Sequence, residues 1–257
     1  MATYQNIKLN VEDRVARISL ARPPLNVFNI AMMRELAAAV QEMVNQEIVA
    51  IVFEADKETR AFSAGVAVEE HAPETVYQML DSFHSVFRAL EQVAKPSIAV
   101  VDGVAVGGGC ELVSACDIVI ASDRARFGQP EIKLGVFPPV ASIFLPLVIG
   151  EKRARELILT GDIIDANEAG RLGLCTHVVP SNHLDQKLTE VVSKLRELSS
   201  VSLEYARRAL DLARPRKLDQ TLKELENLYL HELMKSYDAI EGVKAFMEKR
   251  KPAWRNR

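Results

Sequence analysis

Cysteine is scarce in this sequence: Cys110, Cys116 and Cys175 are the only three cysteines among 257 residues. Their number is odd and no two of them form a C-x-x-C pair, which argues against structural disulfides and favours a reducing cytoplasm. Cys110 and Cys116 stand among apolar neighbours. Because free cysteine is among the most buried residue types, we predict that both are small hydrophobic side chains of the core.

Long apolar runs and an excess of basic residues are also missing. No stretch approaches the roughly 20 apolar residues that cross a bilayer, and residues 1–10 lack the apolar run of a signal peptide. The chain has 32 Lys and Arg against 35 Asp and Glu, a net charge of −3, which does not suit a general nucleic-acid binder. We therefore expect a cytoplasmic protein that binds neither membranes nor nucleic acids.

The histidines show no metal-ligand spacing such as H-E-x-x-H, so the sequence predicts no metal site. Each histidine is expected to be a surface side chain or a hydrogen-bonded structural one. The five concerned are His71, His84, His177, His183 and His231.

The hydrophobic pattern predicts an α/β protein. Hydrophobic residues make up 48% of the chain, enough for a substantial core without disulfides or metals. Short apolar or β-branched runs predict strands at 14–20, 48–53, 97–101 and 117–121. Helical spacing predicts helices between them and later in the chain, at 29–44, 73–93, 110–115, 151–160, 167–172, 181–198, 218–234 and 238–249. The order indicates an α/β core followed by a helical part that begins near Leu198.

Three consecutive glycines, residues 107–109, lie between a predicted strand and a predicted helix. A dinucleotide-binding G-x-G-x-x-G fails because Leu112 occupies the last glycine position, and a P-loop fails because Cys110 and Glu111 follow the glycines. A helix N-terminus with free N–H groups remains, and it would stabilise an enolate or another oxyanion.

Two glutamates could work as a pair beside that helix. Glu111 stands in an otherwise uncharged stretch, residues 110–116, and Glu131 follows Pro130 in a tight turn. Taken singly, each could be an ordinary first-turn carboxylate that stabilises a helix N-terminus. The helix, return strand and turn can bring them together, however, and two close carboxylates can orient and deprotonate a water molecule.

A second oxyanion donor is predicted from the small residues 61–66, where the N–H of Val66 could join that of Gly108. The rival interpretation is a nucleophile elbow, G-x-S-x-G, around Ser63. Ala61 occupies its first glycine position, and no histidine or acid stands in a recognisable triad context.

These motifs resemble the crotonase (enoyl-CoA hydratase/isomerase) superfamily over essentially the full chain, in residues 61–65, 107–112, 127–131 and 246–252. The resemblance implies a spiral core of β-β-α turns at residues 1–197 and a helical trimerisation region at 198–257. It also implies a homotrimer, or a hexamer built as a dimer of trimers.

The resemblance also implies roles for individual residues. The N–H groups of Val66 and Gly108 would hold the thioester oxygen. Glu111 would help to activate water, and Glu131 would exchange a proton with the α carbon. Coenzyme A would enter as part of the substrate near residues 60–65, with no other cofactor. The residues expected to bind it or the acyl group are Phe62, Ala64, Gly65, Gly107, Pro130 and Lys249.

One stretch departs from the common short-chain hydratases, which usually have a glycine-rich segment after Gly135. Residues 136–142 are Val-Phe-Pro-Pro-Val-Ala-Ser, and the usual aspartate after the oxyanion residue is missing from residues 63–68. Both departures resemble the cyclohexa-1,5-diene-1-carbonyl-CoA hydratases of anaerobic aromatic degradation. The sequence leaves two alternatives open: an isomerase or hydrolase of the same fold, or an acyl-CoA-binding protein without turnover.

Overall fold

The computed structural model describes residues 3–256, and its largest sheet has six strands. The chain forms nine strands in this order: β1 (Ile7–Glu12), β2 (Val15–Leu20), β3 (Ala50–Ala55), β4 (Ser97–Val101), β5 (Val104–Val106), β6 (Ile118–Ser122), β7 (Arg126–Gly128), β8 (Ile163–Asp165) and β9 (His177–Val179). The large sheet has the order β1-β2-β3-β4-β6-β9. Its β1–β2 pair is antiparallel and all its other pairs are parallel.

A second, smaller layer runs alongside the large sheet. It consists of β5, β7 and β8, and isolated parallel bridges extend it from Ser63 to Ala105 and from Phe28 to Val66. After each of β2, β3, β4 and β6, the chain therefore passes through the small layer before it enters a helix or turn. This repeated path is the spiral of β-β-α turns that the sequence resemblance implied.

Ten α-helices cover the sheets and continue to the C-terminal part: α1 (Ile30–Gln41), α2 (Val76–Val93), α3 (Gly108–Ala115), α4 (Pro139–Ile149), α5 (Glu151–Thr160), α6 (Ala166–Leu172), α7 (Leu184–Arg196), α8 (Ser200–Leu212), α9 (Leu218–Asn227) and α10 (Tyr237–Met247), among residues 3–256. Short 3₁₀ turns occur at Val68–His71, Pro130–Leu134, Ser181–His183 and Leu233–Lys235. One π-helical turn, Leu228–Glu232, follows α9.

The large sheet is covered on both faces. One face contributes Ile51 and Phe53 to the main core, which α1 and α2 complete. The opposite face packs Val52 against α7, where Leu188 is buried. A parallel strand that is covered on both sides needs a continuous apolar run, and this is why the run at residues 48–53 predicted β3. Its observed bounds lie two residues further along the chain.

The cysteine prediction is correct for one residue and too strong for the other. Cys110 is 2% exposed and belongs to the core. Cys116 is only half-buried, because it caps the C-terminus of α3 where the chain turns into β6. All three cysteines are free thiols.

The residues after 198 share the main core. Leu218, Leu222 and Ala239 are buried within it, so α9 and α10 pack directly on the preceding part of the chain. The predicted boundary at residue 198 therefore remains a proposal about which part of the chain contacts neighbouring subunits. Within residues 3–256, none of the helices combines the length and apolar character needed to cross a bilayer.

Candidate active site

A cavity of about 320 Å³ opens where the small layer, the N-terminus of α3 and the C-terminal helices meet. Most of its wall is apolar. Its polar side chains are those of His71, Glu111, Glu131, Lys133 and Tyr229. The remaining lining residues are Ala64, Gly65, Val66, Val68, Met79, Leu80, Phe83, Gly107, Pro130, Leu134, Phe137, Pro138, Pro139 and Phe246.

Two loops meet at one edge of this cavity. Gly65 has φ +96° and packs against the backbone of Gly107 and Gly108, so close that a side chain at Gly65 would lie 3.2 Å from the Val106 carbonyl oxygen. The N–H groups of Gly65 and Gly107 have acceptors in Ser63 Oγ and the Gly128 carbonyl. Those of Val66 and Gly108 have none within residues 3–256. The structure therefore places two free N–H groups side by side, the second at the start of α3.

Ser63 cannot be the nucleophile of a triad. Its side chain is fully buried, its hydroxyl donates to the Asn26 carbonyl at 2.7 Å, and the same oxygen accepts from Gly65 N at 3.1 Å. The hydroxyl fixes the loop that presents Val66. This geometry removes the nucleophile-elbow interpretation.

Glu111 is buried, with 3% of its surface exposed. Its Oε1 accepts from Val140 N at 2.8 Å and Ala141 N at 2.9 Å, which are free N–H groups in the first turn of α4. Burial raises the pKa of Glu111 to about 7, although these two N–H groups oppose the rise. The carboxylate is held in place and titrates near neutrality, as a general base requires.

Glu131 lies across the cavity in the Pro130–Leu134 turn. A methyl group on Gly107, which has φ +53°, would lie 2.8 Å from Glu131 Oε1, so the carboxylate rests directly above the glycine backbone. Burial and then the charge of Glu111 raise the pKa of Glu131 well above its ordinary value. Two carboxylates that share one largely apolar cavity hold one proton between them near neutral pH.

Gln129 holds Glu131 in place, a role that was not predicted from the sequence. It is fully buried, and its amide nitrogen, turned to donate, lies 3.2 Å from both Oε1 and Oε2 of Glu131. The signal that could have found it is its position within the 127–131 motif, one residue before Pro130.

The titration of Glu111 predicts a loss of stability as the pH rises. The folded protein keeps the Glu111 proton up to a pKa of about 7, whereas the unfolded chain releases it near 4.5. Between these values the unfolded state binds fewer protons, so the free energy of unfolding should fall by about 3 kcal/mol in total. Glu111→Gln should remove this fall. Urea unfolding should be measured from pH 4.5 to 8. We expect the free energy of unfolding of the variant to rise by that amount relative to that of the wild type as the pH increases.

The matched control for this measurement is Glu35→Gln, since Glu35 also accepts backbone N–H groups, those of Gln5 and Asn6, far from the cavity. Its difference from the wild type serves as the baseline for the pH-dependent difference of Glu111→Gln. A flat difference for Glu111→Gln would contradict the raised pKa.

Three residues of the divergent stretch 136–142 form part of the cavity wall. Phe137, Pro138 and Pro139 line the cavity, and the ring of Phe137 lies 5.2 Å from that of Tyr229. Pro139 is the first residue of α4, where a proline lacks no needed hydrogen bond. The two prolines and the packed ring make this wall stiff.

The structure brings most of the predicted site residues to the cavity. Ala64, Gly65, Gly107 and Pro130 line it together with the two glutamates and Val66, and Gly108 adjoins it. The side chain of Phe62 is different: it is fully buried in the main core and does not form the wall, so it supports the loop from behind. Lys249 is exposed and follows α10, three residues after the lining residue Phe246.

The position of several residues in the cavity wall was not predicted from the sequence. His71 is a hydrogen-bonded structural histidine, as predicted, with its Nδ1 donating to the Ala67 carbonyl at 3.1 Å, but its place in the cavity wall was not predicted. Lys133 donates to the Gly161 carbonyl at 2.7 Å. Tyr229 comes from the C-terminal part, about a hundred residues after the motifs, and no local signal marks it. No group of three or more metal-ligating side chains occurs within the described chain.

The fold is that of enoyl-CoA hydratases. The crystal structure of an enoyl-CoA hydratase from Mycobacterium avium subsp. paratuberculosis K-10 matches with a TM-score of 0.87 at 26% identity, covering 99% of this chain and 100% of that one. An enoyl-CoA hydratase from Bacillus anthracis matches with a TM-score of 0.78 at 31% identity, covering 98% and 100%.

The sequence comparison defines the family. Residues 10–257 match the enoyl-CoA hydratase/isomerase family. The chain is 37% identical to a cyclohexa-1,5-dienecarbonyl-CoA hydratase from Thauera aromatica, over 97% of this chain and 96% of that protein. It is 34% identical to a short-chain-enoyl-CoA hydratase from Clostridium acetobutylicum, with 96% of each covered. The chain belongs to the enoyl-CoA hydratase/isomerase family.

Proposed function

We propose that this protein is a hydro-lyase that adds water to the double bond of an unsaturated acyl-CoA thioester. One observation carries the proposal: Glu111 and Glu131, two carboxylates with raised pKa values, line the same cavity that two free N–H groups adjoin. The Thauera aromatica and Clostridium acetobutylicum relatives are both hydratases, and they support the same reaction.

The free N–H groups of Val66 and Gly108 bind the thioester oxygen. When water attacks the unsaturated carbon, negative charge moves onto that oxygen and forms an enolate. Two donors that already point at the oxygen stabilise this charge without any reorganisation, and the N-terminus of α3 adds its positive dipole end. The acyl group then extends along the apolar wall, with its double bond next to the glutamates.

Glu111 and Glu131 divide the proton transfers. Glu111 is partly ionised at neutral pH because its pKa is about 7, and in the ionised form it takes a proton from water as the oxygen bonds to the substrate carbon. Glu131 carries the shared proton and donates it to the α carbon of the enolate, and Gln129 keeps its carboxyl group in position. One water molecule is added, and the proton now on Glu111 passes to Glu131 to restore the pair.

The acyl group that fits best is a cyclic dienoyl group. The Thauera aromatica relative is named for a cyclohexadienecarbonyl substrate, and the stiff wall of Phe137, Pro138 and Pro139 suits a flat ring. Such a substrate would place the protein in the anaerobic degradation of aromatic compounds. Coenzyme A is then part of the substrate and no other cofactor takes part. The exposed Lys249 would bind a phosphate of CoA, as the family resemblance implies.

The assembly that we propose is a trimer, or a hexamer of two trimers, in the cytoplasm. The helix α8 exposes the apolar side chains of Val201, Tyr205 and Leu212, which a neighbouring subunit would cover. The three free thiols suit a reducing compartment. The division of the chain into a core at 1–197 and an assembly region at 198–257 follows from this proposal.

A paired assay in oxygen-18 water tests the function. The purified protein is offered crotonyl-CoA and cyclohexa-1,5-diene-1-carbonyl-CoA, and the products are analysed by mass spectrometry. We expect label in the cyclic product and little or none in the linear one. Label in the linear product would make the protein a general enoyl-CoA hydratase. Double-bond migration or thioester cleavage without labelled hydroxyl product would indicate an isomerase or a hydrolase, and binding without any reaction would indicate a non-catalytic acyl-CoA-binding protein.

A further inference from the structure

Tyr229 is a buried polar residue that the mechanism above does not use. It belongs to the π-helical turn Leu228–Glu232, which interrupts the helical path after α9, and such turns are frequent at functional sites. Its side chain lines the cavity and is 1% exposed. The ring packs against Phe137, so its position is fixed by the acyl wall itself.

The hydroxyl of Tyr229 has no hydrogen-bond partner within residues 3–256. A buried hydroxyl usually has a hydrogen-bond partner, because an unpaired one loses its hydration without a compensating hydrogen bond. Nothing in the packing requires the oxygen, since a phenylalanine ring would fill the same space. An unpaired polar group that persists in a cavity wall indicates a partner that arrives with the ligand.

Tyr229 lines the same cavity as Glu111 and Glu131. Burial, and then the charges of Glu131 and Glu111, raise the pKa of the Tyr229 hydroxyl well above its ordinary value. It forms no direct hydrogen bond with either of them. The phenol stays neutral at physiological pH and can therefore donate. An oxygen atom in the cavity could therefore bridge the Tyr229 hydroxyl, as the donor, and the carboxylates of Glu111 and Glu131, as the acceptors.

We propose that the Tyr229 hydroxyl donates a hydrogen bond to the oxygen atom that is added to, or removed from, the acyl group. This inference rests on the proposed hydration. In that reaction the water donates toward Glu111 and Glu131, and one of its two lone pairs attacks the substrate carbon. The other lone pair accepts from Tyr229, which orients the attack. In the reverse direction the same donor stabilises the leaving oxygen. The tyrosine keeps its proton throughout, so it changes no atom or electron balance.

The variant Tyr229→Phe tests the proposal because it removes only the oxygen. With the unsaturated thioester that the wild type hydrates, we expect kcat to fall about tenfold, the usual effect of one neutral hydrogen bond, and KM to change less than about threefold. The melting temperature should equal or slightly exceed that of the wild type, because the folded protein loses no hydrogen bond. A structural role would instead lower the melting temperature and leave kcat per folded enzyme unchanged.

A binding measurement separates this inference from the proposed function. By calorimetry, Tyr229→Phe should weaken binding of the hydroxycyclohexenecarbonyl-CoA product about tenfold and leave binding of cyclohexenecarbonyl-CoA, which lacks the hydroxyl, within about twofold. Tyr77→Phe is the matched control, since Tyr77 is exposed on α2 and its variant should match the wild type throughout. Wild-type inactivity in every hydration assay would count against the proposed function itself. An active wild type with equal kcat and equal hydroxyacyl binding in Tyr229→Phe would overturn only the role of Tyr229.

Discussion

Replacing Glu111 by glutamine should lower kcat for hydration by about a thousandfold, which is within the range for the loss of a positioned general base. The amide oxygen can still accept from Val140 N and Ala141 N, so the first turn of α4 keeps its partner. The variant loses the base that takes a proton from water. It also removes the Glu111 charge, which adds to the larger effect of burial in raising the pKa of Glu131, so the two residues no longer share a proton. Steady-state kinetics that follow the formation of the oxygen-18-labelled thioester product measure this loss of kcat.

Comparison with two further variants makes this result specific. Glu131→Gln should be impaired to a similar degree, because the proton for the α carbon is lost, and the double variant should be little worse than either single one. Glu35→Gln, a carboxylate that accepts backbone N–H groups at the start of β1, should keep kcat within about twofold. A Glu111→Gln enzyme that retained a tenth of wild-type kcat would disprove a water activated by Glu111.

Replacing Gly242 by alanine should cost both stability and activity. Gly242 lies in α10, and a methyl group there would stand 2.1 Å from the carbonyl oxygen of Leu134 and 2.5 Å from its carbonyl carbon. Neither atom can move aside by a rotamer change, because both belong to the backbone of the Pro130–Leu134 turn. The helix α10 or that turn must therefore shift. Since the turn carries Glu131, the position of that carboxylate shifts with it.

We expect Gly242→Ala to lower the free energy of unfolding by about 3 kcal/mol. In a chain of this size that corresponds to a drop of roughly 6–12 °C in melting temperature. In the protein that remains folded, kcat should fall about a hundredfold, as misplacement by an ångström can cause. Gly170→Ala in α6 is the control, since only the side-chain tip of Val178 lies nearby, at 3.0 Å, and it should be close to neutral. A melting temperature unchanged in Gly242→Ala would mean that α10 does not pack on the turn.

The chemistry-bearing part of the site was accessible from the sequence because it is local. The strand, three glycines and Glu111 are contiguous, and Glu131 follows after one helix, one strand and a turn. Each segment carries a strong local signal: a continuous apolar run for the buried strand, glycines at a helix start, and a charge within an apolar stretch. These segments could be paired without knowledge of distant residues. The structure places Glu111 and Glu131 in the wall of one cavity, as this pairing predicted.

Several elements of the fold gave no such signal. The strands β5, β7, β8 and β9 have three residues each, too few for a periodic pattern, and they exist because neighbouring strands complete their hydrogen bonds. The helix α4 was not predicted, because prolines stand before it, at its start and at Pro146 inside it. Its first turn is stabilised by Glu111, whose carboxylate accepts the N–H groups that the sequence alone leaves unassigned.

The sequence by itself determined the α/β class, the two glutamates and the glycine-rich helix start, since each depends on neighbouring residues. Only the tertiary structure decided that Phe62 supports the loop from the core and that Tyr229 and Phe246 complete the acyl wall. It also decided the pKa values, because the proton of Glu111 depends on how much water is excluded around it. Burial and contacts between segments a hundred residues apart arise from the packing of the whole chain, and no local pattern encodes them.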